Sequence, residues 1–172
     1  MTKKLLSLVL ILALALSLVA CGKTTTSNET SSSEVASSNA GKLDDANLEE
    51  LMAQIYAGIE QQINSLANQV ITEENAKYFA GLLSLEDVEE ALVSEPMIGS
   101  IAHSVCLIKV KEGADIEAVK EEIKTNIDPR KWICVGVEPE QVIVENNGRM
   151  ILLVLDAENG ENILNSFNEL AK

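Results

Sequence analysis

The hydrophobic positions of this chain fall into three regimes. Leu5 to Ala20 is apolar apart from Ser7 and Ser17 and carries no charge. Gly22 to Lys42 has no apolar pattern, and ten of its 21 residues are Ser or Thr. From Leu43 onward the pattern is periodic. Leu48, Leu51, Met52, Ile55 and Ile59 repeat at helical spacing, and Asp44 or Asp45 stands where an N-cap is expected. Gln62 to Ile71 is polar and irregular. Thr72 predicts a second, shorter helix through Phe79, stopped by Gly81. Val88 to Ser94 predicts a strand, a, which Pro96 ends because proline cannot donate to a ladder. Met97 to Ala102 reads as a loop.

His103 to Lys111 predicts strand b, nearly continuously apolar through Val105, Cys106, Leu107, Ile108 and Val110. Asp115 then caps a helix with Ile116, Val119, Ile123 and Ile127 on its inner face. Asp128-Pro129 predicts a short helical turn that contains Trp132 and closes at Gly136. Glu140 to Glu145 is strand c and Arg149 to Leu155 is strand d. Asn147-Gly148 lies between them as the central pair of a type I′ hairpin turn. Asn159-Gly160 opens the last helix, with Ile163, Leu164, Phe167 and Leu170 on one face.

The order a-b-helix-c-d-helix predicts an α+β fold. Its four-stranded, mostly antiparallel sheet would adopt a permuted ferredoxin-like arrangement, with strands in the order a-b-d-c. Strands b and d would then be central, and they are the most continuously apolar. An antiparallel sheet with one wet face should alternate instead. The second face is therefore covered, and the helical segment from Asp45 to Ala80 is the nearest cover; a partner molecule or a second copy is the alternative.

The first regime has the order of an export signal: Lys3 and Lys4, then the apolar run, then the small residue Ala20. The run is shorter than the roughly 20 residues a membrane span needs. Leu18-Val19-Ala20-Cys21 resembles, position by position, the lipobox of bacterial lipoproteins. That resemblance implies removal of residues 1–20 and a diacylglyceryl group on the Cys21 sulfur. A second acyl chain makes such an anchor stable. Residues 21–42 read as the lipidated cysteine and a Ser/Thr-rich tether spanning about 25 Å. Residues 43–172 read as one domain, long enough for a single core.

Charge narrows the partners. Losing Lys3 and Lys4 with the signal takes the formal charge from -14 to -16. A chain so acidic repels phosphate backbones, so nucleic acid is excluded as a partner. Beyond Cys21 only Cys106 and Cys134 remain, and their apolar neighbours predict two buried free thiols rather than a disulfide.

Three stretches carry a wider resemblance. Ser94 to His103 (Ser-Glu-Pro-Met-Ile-Gly-Ser-Ile-Ala-His), Asp128-Pro129-Arg130-Lys131-Trp132 and the Asn147-Gly148 hairpin resemble a family of small secreted lipoproteins of clostridia-like Gram-positive bacteria. The likeness runs from about Leu48 to Phe167. It implies a Gram-positive host and a domain anchored on the outer face of the membrane. The shared domain has no established activity, so the likeness implies no chemistry.

Few residues offer chemistry directly. His103 is the only histidine, so a proton-handling or ligand-contacting role rests on it alone; a packing or capping histidine is the plainer reading. No metalloprotease, phosphate-loop, nucleophile-elbow or dinucleotide motif is present. The sequence therefore predicts no metal, no cofactor and no catalytic set. Asp156-Ala157-Glu158-Asn159-Gly160 has a calcium-loop flavour, but Phe167 stands where the chelating glutamate belongs, so it reads as a strand-to-helix turn. The acidic pairs, such as Glu89-Glu90 and Glu121-Glu122, read as solvated faces. Arg130, Lys131 and Trp132 form a basic-aromatic cluster, either a contact patch for an acidic partner or a core tryptophan flanked by snorkelling cations. Met97 and Ile98 are apolar loop residues that mark a contact site or cap the core.

These readings predict a non-enzymatic, lipid-anchored extracytoplasmic module that binds a protein or envelope component. Its contact patch would draw on Met97, Ile98, His103, Arg130, Lys131 and Trp132. A small-ligand-binding lipoprotein is the alternative, and an enzyme using His103 is a third. The three part on whether His103, Met97 and Trp132 converge on one cavity.

Overall fold

A computed structural model describes residues 41–60, 63 and 65–172. The expected signal, Cys21 and nearly all of the tether lie outside the described residues. The elements run α1 (Leu48–Ala57), β1 (Leu66–Val70), α2 (Ala76–Ala80), β2 (Val88–Pro96), β3 (Ser104–Val110) and α3 (Ile116–Asn126). A 3-10 turn (Pro139–Gln141), β4 (Ile143–Asn147), β5 (Met150–Leu155) and α4 (Gly160–Leu170) follow. The fold is α+β, with one antiparallel sheet in the order β1-β2-β3-β5-β4.

Strands a, b, c and d are β2, β3, β4 and β5, and their expected order a-b-d-c is present. The sheet has a fifth strand. β1 pairs along the outer edge of β2, from Leu66 opposite Pro96 to Val70 opposite Leu92. The stretch Gln62 to Ile71 was expected to be irregular because it lacks an apolar face. An edge strand needs none: four of the five β1 residues are exposed, and backbone hydrogen bonds place it.

Every residue of β3 and β5 is buried, because both faces of the sheet are covered. Cys106, Ile108, Val110, Ile151, Leu153 and Leu155 face a core with α2 and α3, through Ala76, Ala80, Val119 and Ile123. Val105, Leu107, Met150, Leu152 and Val154 face a second core with Met52 and Ile55 of α1 and Ile163 and Phe167 of α4. This corrects the ferredoxin-like expectation, in which the helices after b and d share one face. Here α3 and α4 lie on opposite faces. The N-terminal helices divide likewise: α1 lies beside α4, and α2 beside α3. Periodicity reports which face of a helix is apolar, not which face of a sheet receives it.

Three local expectations also change. Asn47, not Asp44 or Asp45, caps α1, its Oδ1 accepting from the N–H groups of Glu49 and Glu50 at 3.0 and 3.1 Å. Asn75, not Thr72, precedes α2. No helix follows Asp128-Pro129. Asp128 Oδ1 accepts from the Arg130 N–H at 2.9 Å, making a turn, and the chain runs irregularly to Pro139. Asp115 caps α3 as expected, accepting from the Ala118 N–H at 3.1 Å.

The β4–β5 hairpin closes one residue later than expected. Asn147 pairs with Met150, so the central residues are Gly148 and Arg149. Only Gly148 has a positive φ, +54°, the pattern of a type II′ turn. Asp44 packs here: its carboxylate accepts from the N–H of Arg149 at 2.7 Å and of Gly41 at 2.9 Å. A Cβ on Gly148 would lie 2.4 Å from Asp44 Oδ1 and 2.4 Å from Gly41 N. Gly148→Ala is therefore expected to cost about 2 kcal/mol from the left-handed backbone alone. The added clash should release residues 41–46 from the hairpin. Denaturant midpoints, with faster exchange of the Arg149 amide hydrogen, would check both effects.

Candidate functional site

The candidate residues gather at the opposite end of the sheet, where β2 ends and β3 begins. Loops 97–103, 128–138 and 156–159 meet there, and the Ile133 N–H donates to the Gly99 carbonyl at 3.4 Å. The sheet then separates the candidates. Val105 and Leu107 face α1 and α4, and His103 is in phase with them; Ser104 and Cys106 face α2 and α3.

On the α1 face, His103 is buried between two partners. Its Nδ1 lies 2.7 Å from Asp156 Oδ2 and its Nε2 lies 2.8 Å from the Tyr56 hydroxyl. Asp156 only accepts, so Nδ1 carries a hydrogen and the Tyr56 hydroxyl can donate to Nε2. Burial pushes the Tyr56 hydroxyl well above its ordinary value, keeping it a donor. Burial also pushes the Asp156 carboxyl up. The hydrogen bonds from His103 and from the Asn159 and Glu158 N–H groups outweigh that, holding it below the ordinary carboxyl value. Both N–H groups reach Asp156 Oδ1 at 2.8 Å, and this is the strand-to-helix turn read from the sequence. A cleft of about 530 Å³ lies alongside, lined by Ser100, Ile101, His103, Asp156, Glu158 and Asn159 among others.

On the α2 face, Lys131 and Trp132 pack inward. The Lys131 side chain is 1% exposed, and its Nζ is 2.7 Å from Glu95 Oε1. Trp132 is partly buried against the α2–α3 core. Arg130 is exposed but pairs with Glu138 at 2.5 Å. The basic cluster of the sequence is thus balanced by carboxylates from β2 and from the 128–138 segment itself. Cys106 is buried and free, its Sγ 3.4 Å from the Phe79 carbonyl, and burial pushes its thiol up to about 12. That leaves no thiolate for nucleophilic chemistry. Cys134 is free as expected, but it is exposed at φ +64°, not buried. Its neighbour Ile133 is exposed as well, so the apolar run does not enter the core.

At the tip, Met97 is 78% exposed, Ile98 57%, Ile101 41% and Ile133 79%. The sequence singled out the first two. Ile101 and Ile133 join them through the Gly99–Ile133 hydrogen bond, which no spacing rule signals. Tyr56 and Asp156 were missed as partners of His103 for the same reason.

Among the described residues, no group of three or more His, Cys, Asp or Glu side chains is placed to hold a metal ion, and no helix is long and apolar enough to cross a membrane. Compared with family models, with curated proteins and with solved structures, the chain matches none.

Proposed function

We propose that this chain is a membrane-anchored extracytoplasmic lipoprotein, held by lipidated Cys21, whose domain docks a protein partner through Met97, Ile98, Ile101 and Ile133. The observation that carries this reading is the separation of the candidates. His103 and Trp132 lie on opposite faces of the sheet and Met97 is exposed at the loop tip, and the cleft beside His103 is lined by neither Met97 nor Trp132. What they leave is an exposed apolar tip of two loops bonded together. Exposed apolar clusters of this kind mark contact surfaces.

Chain direction adds support. Residue 41 packs on the β4–β5 hairpin, at the other end of strands about 20 Å long. The tether therefore joins the domain far from the apolar tip, which suits a partner met away from the attachment point. The formal charge of -16 after processing favours a partner with a cationic rim around its apolar pocket.

A photo-crosslinker placed at Met97 or Ile133 in the anchored protein tests this in intact cells. Both positions should give the same protein adduct, and a crosslinker at exposed Leu83 should not. Paired Met97→Asp and Ile133→Asp changes should abolish that adduct while moving stability by no more than about 0.5 kcal/mol, as surface changes do. Failure of both positions to capture a common protein would sink the docking reading. Adducts with glycan or lipid would reassign the tip to an envelope component.

The small-ligand reading keeps one specific observation, the cleft beside His103 and Asp156, whose volume is in the range of ligand sites. Its two buried polar groups nearest the sheet are already bonded internally: both ring nitrogens of His103 and both oxygens of Asp156 have partners. That ranks it second.

A further inference from the structure

The Lys131 ammonium sits inside a cage. Its Nζ is 5.1 Å from the ring centre of Tyr78, 5.3 Å from that of Phe79 and 5.3 Å from that of Trp132. Glu95 closes the cage with its carboxylate at 2.7 Å, and Ser104 Oγ lies 3.2 Å away. Three of the five aromatic residues in the chain converge on this one cation. The faces of aromatic rings attract cations, and three rings with a carboxylate match the chemistry of an organic ammonium group.

Four of the five cage groups lie far from the occupant in the chain, and the fifth, Trp132, is its neighbour. Tyr78 and Phe79 stand on α2, Glu95 on β2 and Ser104 on β3, so helix and sheet hold most of the cage. Lys131 comes from the irregular segment between Asp128 and Pro139. Tyr78 is half exposed, so the cage has a wall that faces solvent. A primary ammonium is a strongly hydrated occupant, whereas a methylated ammonium sheds its water more cheaply and fills the space between rings.

We propose that Tyr78, Phe79, Trp132 and Glu95 form a recognition site for a quaternary or methylated ammonium group, and that Lys131 is its resident, displaceable occupant. Lys131 competes as a tethered ligand at high effective concentration. The site therefore opens only to a cation that suits the cage better or is locally abundant. The cage shares no residue with the apolar tip, although Trp132 adjoins Ile133, and failure of the ammonium tests would leave the docking reading standing.

Two measurements on the full-length chain in a maltoside detergent test this. In the first, the unaltered protein is treated with an amine-acylating reagent, and labelling is read residue by residue by mass spectrometry. Lys131 should label far more slowly than the half-exposed Lys124. Tetramethylammonium should raise Lys131 labelling several-fold and leave Lys124 unchanged. In the second, K131A is titrated with choline and followed by the fluorescence of Trp132, the only tryptophan. The response should saturate at a concentration about tenfold lower than for the unaltered protein, as removal of a tethered competitor requires. The neutral isostere 3,3-dimethyl-1-butanol should give no comparable response, and E95Q in the K131A background should weaken choline binding. Lys131 labelling that never responds to tetramethylammonium overturns the proposal. So does a K131A response that the neutral alcohol reproduces. The labelling arm does not depend on any variant folding.

Discussion

His103→Ala is expected to cost about 3 kcal/mol, because it strips hydrogen-bond partners from two buried groups, one of them a carboxylate. Asp156 would remain buried and lose its 2.7 Å partner, and the Tyr56 hydroxyl would lose its acceptor. Tyr56 stands on α1, His103 directly precedes β3 and Asp156 directly follows β5. The loss would therefore loosen the seat of α1 on the sheet as well as the loop end. Urea unfolding at neutral pH, with the slope checked for two-state behaviour, measures the cost. A cost under about 1 kcal/mol would mean that water replaces the imidazole without penalty.

The same group sets an acid limit. The Asp156 carboxyl is held below its ordinary value of 3.8, so the folded state binds its proton less readily than the unfolded state does. Its contribution is complete above the unfolded value and is lost as pH falls through the lower folded one. The stability advantage of the unaltered protein over Asp156→Asn should therefore be flat from pH 7 to about 5 and shrink below about pH 4. An advantage that stayed constant down to pH 3 would show that Asp156 is not held ionised by these bonds.

Phe167→Ala is expected to cost about 3–5 kcal/mol, for a different reason. Phe167 is fully buried between α4, α1 and the sheet, among Ile55, Leu107 and Leu152 of the same core. Truncation removes the ring and leaves a void that rigid β3 and β5 neighbours fill only in part. Leu83→Ala is the matched control: Leu83 is exposed, and its change should fall within about 0.5 kcal/mol. Equal effects from the two substitutions would contradict the packing described for α4.

The order of β2, β3, β5 and β4 was legible because β3 and β5 are apolar at nearly every position, and such strands sit in the middle of a covered sheet. β1 was not, since an edge strand with exposed side chains leaves no periodic trace. The caps show the same boundary. Asp115 caps α3 as its position predicts, whereas neither Asp44 nor Asp45 caps α1, and Asp44 instead accepts from Gly41 and from Arg149 far along the chain. The site was harder still. His103, Met97 and the Arg130–Trp132 cluster were visible as unusual residue types. Glu95, Tyr56 and Asp156, which decide whether Lys131 and His103 are free, are brought in by tertiary contacts alone.

Two apolar layers share β3 and β5 as their common wall, and each layer takes alternate residues of the same strands. Neither layer can lose its packing without exposing the back of the other. Heating should therefore melt both together, and calorimetry should find one transition with equal calorimetric and van't Hoff enthalpies. An Ile123→Val change in one layer and an Ile163→Val change in the other should lower that single melting temperature rather than split it.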